Sequence, residues 1–194
     1  MKILFSTFLI IFLMNFSLIF AQNRYSAFGA PSIKYTSLNN KCAIILGGKF
    51  GFVINKSIVL GGGFYGLINN VHTSYIDAPS GQKIILNINY GGLELEYILF
   101  PNSIIHGSLE ILLAGGGIYF TVPDKSVQHN NYSKDNFLLY EPSINIELNT
   151  VSWLHIDLNF SYRIITSYYT VSYGINKDNL KGFTVGLIFK FGSY

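Results

Sequence analysis

The sequence predicts an all-β protein, an up-and-down antiparallel transmembrane β-barrel of about eight strands. Apolar and polar residues alternate along most of the chain after residue 25, which is the period of a β-strand. Only 12% of the residues are charged while 49% are hydrophobic, against about 25% charged in an ordinary soluble domain. Short and long connections alternate between the predicted strands, as they do at the two ends of an outer-membrane barrel.

The segment 154–164 shows the pattern most clearly. Leu158 and Phe160 belong to a row of apolar residues at even positions, and Asp157, Asn159 and Arg163 belong to a polar row at odd positions. Successive side chains of a strand point to opposite faces, so a strand separates the two rows completely. We therefore expect Leu158 and Phe160 to face lipid and the odd positions to face the lumen.

Seven further segments have the composition of strands, and one of them changes phase. In 84–99 the apolar residues move from even to odd positions at Gly91-Gly92. We interpret this change as a β-bulge, which glycine tolerates, with Asn87, Asn89, Glu94 and Glu96 on one polar face. The remaining predicted strands are 26–37, 42–54, 58–68, 104–121, 138–148 and 182–191.

The connections predict which end of the barrel faces outward. Three of them are short: 55–57, 101–103 and 149–152. Three are long and are expected on the outer surface, although the first outer connection, near 38–41, is short as well. The long connections are 69–83, 122–136 and 170–181.

A soluble barrel of the lipocalin type also alternates, with its apolar side inward. Two features favour a membrane barrel. The polar faces consist mainly of Asn, Ser, Thr and Gly, which suit a packed lumen better than a solvated exterior. Aromatic residues also gather at the strand ends, as at the two membrane interfaces. They are Phe100, Trp153, Phe189 and Phe191 at the short-turn end and Tyr119, Phe120, Phe137, Tyr168, Tyr169 and Tyr173 at the other.

The first residues have the composition of a secretory signal peptide. Lys2 precedes an apolar stretch that runs to Phe20 and ends at Ala21, which corresponds to a positive start, an apolar centre and a small residue at the cleavage site. We expect a signal peptide over 1–21 and an outer-membrane β-barrel domain over 22–194. An uncleaved membrane anchor is the alternative.

The last predicted strand resembles the C-terminal β-signal of outer-membrane barrels. That signal has a polar residue, a glycine and two spaced hydrophobic residues near the chain end, and Thr184, Gly186, Phe189 and Phe191 match it. The resemblance implies that the barrel-insertion machinery is a partner during assembly.

A second resemblance covers the segment from Glu141-Pro142-Ser143 to Tyr162-Arg163. This segment resembles small outer-membrane β-barrel domains of the PorT-like type, in which a Glu-Pro precedes a hairpin that ends in Tyr-Arg. The resemblance implies an outer-membrane location and a barrel fold. It also suggests an accessory role in a secretion or surface-assembly machine.

The sequence contains no pattern that predicts a cofactor, a metal centre or a catalytic site. Gly61, Gly63 and Gly66 form a GxGxxG, but no helix pattern follows, as a dinucleotide site requires. The histidines lack metal-ligand spacing, and the lone Cys42 excludes an internal disulfide. A hydrolase triad of Ser161, His155 and Asp157 remains an alternative, although these residues lie on the predicted lumenal face.

The predicted lumen is rich in carboxylates. The bases expected beside them are Lys34, Lys49, Lys190 and Arg163. Because an unpaired buried charge is expensive, we expect a charge network in which Arg163 pairs with acids of the preceding strand. The predicted members of the network are Glu94, Glu96, Glu110, Glu141, Glu147, Asp157 and Arg163.

These features predict an exported integral protein of the bacterial outer membrane, with lipids as neighbours. A net charge of +3 without any basic run indicates no nucleic-acid partner. An eight-stranded barrel is just filled by its side chains, which argues against a diffusion pore. We predict a non-enzymatic structural or surface-interaction role, with an outer-leaflet lipid-modifying enzyme or an accessory secretion barrel as alternatives.

Overall fold

The computed structural model describes residues 25–78, 81–122, 132–167 and 173–192. The expected signal peptide lies outside these residues. Within them, no helix is long and apolar enough to cross a membrane. A four-residue helix, α1, covers Lys177–Leu180. The strands are β1 Tyr25–Leu38, β2 Lys41–Ile54, β3 Ile58–Leu67, β4 Val71–Ile76, β5 Lys83–Leu99, β6 Ile105–Thr121, β7 Tyr132–Val151, β8 Leu154–Ser167 and β9 Gly182–Gly192.

These strands form a closed antiparallel barrel with eight wall positions. Strands that are consecutive in the chain pair with each other, except β3 and β4. β9 pairs with β1, and β3 pairs with β5. β3 and β4 follow each other along the same edge of β5. β3 pairs with β5 as far as Asn89, and β4 pairs with the next part of β5, from Leu86 to Lys83. Together they occupy one wall position, so the nine strand segments give the eight-stranded barrel that the sequence predicts.

Tight asparagine turns close the first two hairpins. Asn39 and Asn40, between β1 and β2, have φ of 51° and 58°, and Asn55 and Lys56, between β2 and β3, have φ of 51° and 61°. Asparagine tolerates this left-handed region better than most residues, and consecutive positive φ values match the twist of a hairpin.

The long connections contain more structure than their composition predicts. Part of the predicted loop 69–83 forms β4, and part of 170–181 forms α1. β7 begins at Tyr132 inside the predicted loop 122–136, of which 123–131 lies outside the described residues. The strands therefore extend farther at this end of the barrel than expected.

An apolar belt surrounds the outside of the barrel. On β7 it runs from Leu138 to Leu148, both exposed. Ten residues at about 3.3 Å each, on a strand tilted by about 40°, correspond to a height of about 25 Å, the height of the apolar band of outer-membrane barrels. Phe100 and Trp153, 77% and 58% exposed, border the belt at the short-turn end.

β5 corrects one prediction from the sequence. Its register with β3 and with β6 continues through Gly91 and Gly92 without a shift, so the strand has no bulge there. Leu86 and Ile88 point inward on the same face as Glu94 and Glu96, while Asn87 and Asn89 point outward. What changes along β5 is the chemistry of each face, whereas the direction of the side chains stays the same.

The change along β5 recurs around the barrel. At the long-loop end, the lumen holds a cluster of buried apolar side chains that includes Phe120 and Phe137; these two were expected in the outer aromatic girdle. Past the belt, many outward positions are polar, as at Asn89 and Asn136, although Tyr75 and Ile76 on β4 are exposed. A wall that faces water on its outside must bury apolar side chains on its inside. At this end the barrel is therefore mainly polar outside and apolar inside, the reverse of its arrangement within the belt.

Candidate functional site in the barrel lumen

The lumen within the belt contains buried ionisable groups from seven strands. All six carboxylates that the sequence assigns to the lumen lie there, and none is more than 6% exposed. Lys34, Lys49, Lys190 and Arg163 are at most 4% exposed. Alternation places these side chains inward, because each lies on the same face of its strand as the other buried residues. The six carboxylates belong to Glu94, Glu96, Glu110, Glu141, Glu147 and Asp157.

Lys190 on β9 is the centre of the network. Its Nζ lies 2.7 Å from Glu147 Oε2, 2.8 Å from Asp157 Oδ2 and 3.0 Å from Glu96 Oε1. The ligand atoms of these three carboxylates lie within 4.8 Å of one another, close enough for a metal ion. The ammonium group of Lys190 contacts all three and supplies the positive charge at this position.

Lys49 on β2 holds a second group of acids. Its Nζ is 2.5 Å from Glu110 Oε2 and 3.3 Å from Glu96 Oε2, so Glu96 joins this group to that of Lys190. Glu94 lies 3.6 Å from the same ammonium and accepts a hydrogen bond of 2.5 Å from the Tyr65 hydroxyl. The two lysines therefore connect β2, β5, β6, β7, β8 and β9 through one set of ion pairs.

Lys34 on β1 forms the third pair, with Glu141 at 2.7 Å. Ser161 also donates to Glu141, at 2.8 Å, and the Lys34 ammonium lies 4.1 Å from the centre of the Tyr65 ring. Gly186 stands opposite Lys34 in the ladder, where a Cβ would lie 3.0 Å from Lys34 Cγ. The glycine thus leaves space for the lysine to cross the lumen.

Arg163 differs from its expected role. Its Nε donates to the Leu180 carbonyl at 2.8 Å and its Nη2 to Thr36 Oγ1 at 3.3 Å. The expected acids, Glu141 and Glu147, are bound by lysines instead. Arg163 therefore ties the wall of the barrel to the last long connection.

The described part of the last long connection, 173–181, closes the mouth of the barrel. Ile175 and Leu180 are buried among the apolar lumenal side chains, and the backbone N–H of Asn39 donates to the Asn179 carbonyl at 2.7 Å. Asn176 caps α1 through its side chain. On its outer side, Lys181 donates to Asp178 at 2.7 Å, and this bond lowers the pKa of the Asp178 carboxyl.

We expect Arg163→Ala to loosen this connection. A hydrogen bond from a charged group contributes about 1.5–3 kcal/mol, so local opening is expected to become about tenfold or more frequent. Trypsin cleavage after Lys177 or Lys181 in the folded protein measures the opening. Arg163→Lys is the control and should recover only part of the protection, because an ammonium does not reproduce the planar fork. Equal cleavage of wild type and Arg163→Ala would contradict this role.

Two histidines lie beside Glu147 near the short-turn end. His106 Nε2 is 3.5 Å and His155 Nδ1 is 3.3 Å from Glu147 Oε1. His155 is also hydrogen bonded to Asn149 through the same nitrogen. Both imidazoles thus belong to the lumenal network.

The possible hydrolase triad is not assembled. Ser161 donates to Glu141, while His155 contacts Asn149 and Glu147. Asp157 pairs with Lys190. A nucleophile requires a base within hydrogen-bonding reach, and Ser161 and His155 lie six residues apart on one strand, about 20 Å at 3.3 Å per residue.

The residues of the predicted β-signal lie on β9. Thr184 points into the lumen, where it donates to Thr36 Oγ1 at 3.1 Å. Phe191 points outward and stacks with Trp153, with ring centres 6.2 Å apart. Recognition of this strand by the insertion machinery remains a prediction.

Several polar residues of the lumen were not predicted as part of the network. Asn145 donates to Glu110 at 3.1 Å and accepts from Asn159 at 2.6 Å. Ser108 donates to Glu96 at 2.5 Å. Their positions on inward faces are visible in the sequence, but neutral polar residues are common on such faces. Tyr65 gives less signal still, because aromatic residues occur on both faces of this barrel.

The fold and the lumen define a closed eight-stranded β-barrel with an apolar belt outside and a network of paired charges in the lumen within the belt. Solved structures of small outer-membrane barrels share this fold. Neisserial surface protein A superposes with a TM-score of 0.58 at 9% identity, over 87% of this chain and 96% of that chain. The N-terminal β-barrel domain of Pseudomonas aeruginosa OprF gives 0.56 at 12% identity, over 88% and 99%. No family model and no curated protein matches the sequence.

Proposed function

We propose that the protein is exported and resides in the bacterial outer membrane, where it has a non-enzymatic structural or surface-interaction role. The observation that carries the proposal is the pairing of an apolar belt with a filled lumen. The lumen is occupied by ion pairs at 2.5–3.6 Å. Because the wall faces lipid and the lumen holds salt bridges, the parts available for function are the barrel surface and its outer connections.

Membrane location is tested by cell fractionation and gel mobility. We expect the protein in the outer-membrane fraction, with a mobility that changes on boiling because the closed barrel resists detergent. Recovery in the soluble periplasmic fraction would overturn the proposal.

Orientation is tested by cysteine labelling in a Cys42→Ser background. Lys177→Cys lies on α1, and Lys56→Cys lies in a short turn at the opposite end. Since outer-membrane barrels place their long loops outward, an impermeant maleimide is expected to label Lys177→Cys on intact cells. Lys56→Cys should be labelled only after the membrane is permeabilised. The opposite result would reverse the orientation.

Two other functions have distinct tests. An outer-leaflet lipid-modifying enzyme has less support, because Ser161 and His155 belong to separate parts of the network. A change in the mass spectrum of lipid A on deletion of the gene would favour it. The PorT-like resemblance suggests an accessory barrel of a secretion or assembly machine, and a stable partner after mild detergent extraction would favour that role.

A further inference from the structure

A groove of about 1000 Å³ crosses the outside of the barrel on the side of β1, β2, β3, β5 and β6. It follows a row of paired residues: Pro31 opposite Gly48, Gly48 opposite Phe64, Phe64 opposite Gly91, and Gly91 opposite Gly115. Pro31 and the glycines form its floor, and the Phe64 side chain projects from the row as part of a wall. Five strands about 4.8 Å apart give this row a length of about 19 Å. It lies in the long-loop half of the belt.

The lining of the groove is mainly apolar, although it also includes Lys49, Tyr65 and Tyr90, which are buried on the lumenal face of the wall. Leu46, Phe50 and Phe64 form its walls and are between 52% and 66% exposed. Asn89 adds a polar side chain at the rim on the long-loop side. The groove is therefore continuous with the belt and opens towards the place where the belt ends.

Four of the outward glycines that line the groove are not required by packing within the protein, whereas a Cβ on Gly91 would lie 3.0 Å from the Gly63 carbonyl. A Cβ on Gly29 or Gly66 would have no atom within 4 Å, and a Cβ on Gly48 or Gly115 would have only ordinary contacts, at 3.6 Å or more. Glycine within a strand is less stable than alanine. Because these residues have no side chains, the outer surface of the wall is recessed here. The recess is accessible only to a molecule outside the barrel.

A second copy of the chain does not fit this surface. A two-fold dimer brings the same patch of both subunits together, and two facing grooves would enclose an empty space instead of filling it. The surroundings of the belt supply a better occupant, since one leaflet contributes acyl chains that cover about half of a hydrocarbon core about 30 Å thick. Because the strands are tilted by about 40°, the row across them runs at about 50° to the barrel axis, and its length of about 19 Å spans about 12 Å of depth, within one leaflet.

We propose that this groove binds one acyl chain of a lipid in the membrane leaflet on the long-loop side. The proposal rests on the membrane location proposed above. Phe50, Phe64 and Leu46 flank the chain, the glycines let it approach the backbone, and Asn89 lies near its polar end. The bound lipid covers backbone that would otherwise contact only the mobile chains of the bilayer.

Gly115→Leu tests the proposal, with Gly107→Leu as its control. Both glycines face outward on β6 and have space for a Cβ, but only Gly115 lines the groove. The variants and the wild type are refolded in detergent that contains dimyristoylphosphatidylglycerol and are analysed by native mass spectrometry. Heat-modifiable mobility shows separately that each barrel has folded.

We expect the wild type and Gly107→Leu to retain one lipid per barrel after the detergent is removed. Gly115→Leu is expected to retain about tenfold less, because its side chain occupies the groove. Folded wild type without lipid, or equal retention by the two variants, would overturn the proposal. A dimer of the wild type that Gly115→Leu abolishes would also overturn it. If the wild type does not fold as a membrane barrel, the proposed location is what fails.

Discussion

Replacing Lys190 with methionine is expected to destabilise the barrel by about 3–5 kcal/mol, the effect of removing one partner from a buried ion pair. The Lys190 ammonium lies within 3.0 Å of three carboxylates, and the lysine is fully buried. Methionine fills a similar volume but leaves Glu96, Glu147 and Asp157 facing one another. Urea unfolding in lipid vesicles at neutral pH measures the loss.

Two further variants separate charge from packing. Lys181→Met removes a lysine that pairs with Asp178 on the surface, where ion pairs contribute little to stability. Adding Asp157→Asn to Lys190→Met removes one of the crowded charges and is expected to restore part of the stability. A loss no greater than that of Lys181→Met, or no recovery in the double variant, would show that Lys190 does not hold these acids together.

Leu158→Arg is expected to destabilise the barrel by about 2–4 kcal/mol, the value for an arginine near the middle of the lipid face. Leu158 faces outward on β8 between Ile156 and Phe160, and it pairs with the belt residues Ile146 and Leu187. An arginine there replaces contact with hydrocarbon by a charge that water cannot reach. Unfolding in vesicles measures this loss too.

Thr166→Arg is the matched control for Leu158→Arg. Thr166 is exposed on the same strand and face, eight residues nearer the long-loop end. An arginine near the interface costs about 0–1 kcal/mol. The Asn159 position is a poor control, because Asn159 is completely buried. Equal effects at 158 and 166 would contradict the position of the belt.

The sequence predicts the wall of the barrel well where one face is apolar throughout. β8 has its lipid-facing and lumenal rows as expected, since its alternation continues from His155 to Arg163. The two faces of β5 are predicted wrongly in its long-loop half, because alternation does not show which solvent surrounds a strand. Outside the lipid, the apolar face turns inward by changing its composition, and a single sequence cannot distinguish this change from a bulge at Gly91-Gly92.

The identity of the lumenal charges is visible in the sequence, but their pairing is not. Each side chain's direction follows from its own strand, whereas its partners depend on the stagger of strands far apart in the chain. Lys34 reaches Glu141 across 107 positions, and Lys190 reaches Glu96 across 94. The preceding strand therefore does not supply the partners of Arg163, which binds Thr36 and the Leu180 carbonyl instead.

The inversion of polarity at the long-loop end also determines which substitutions the chain can tolerate. Asn89 and Leu93 point outward from the same strand only four residues apart, one beyond the edge of the belt and one within it. Natural variation should replace Asn89 with other hydrophilic residues and Leu93 with other apolar residues. On the lumenal face of β5 the preference reverses, from apolar residues at Ile88 to charged residues at Glu94. On β5, the residues that each face tolerates therefore differ between the two halves of the strand, and the change occurs at Gly91 and Gly92.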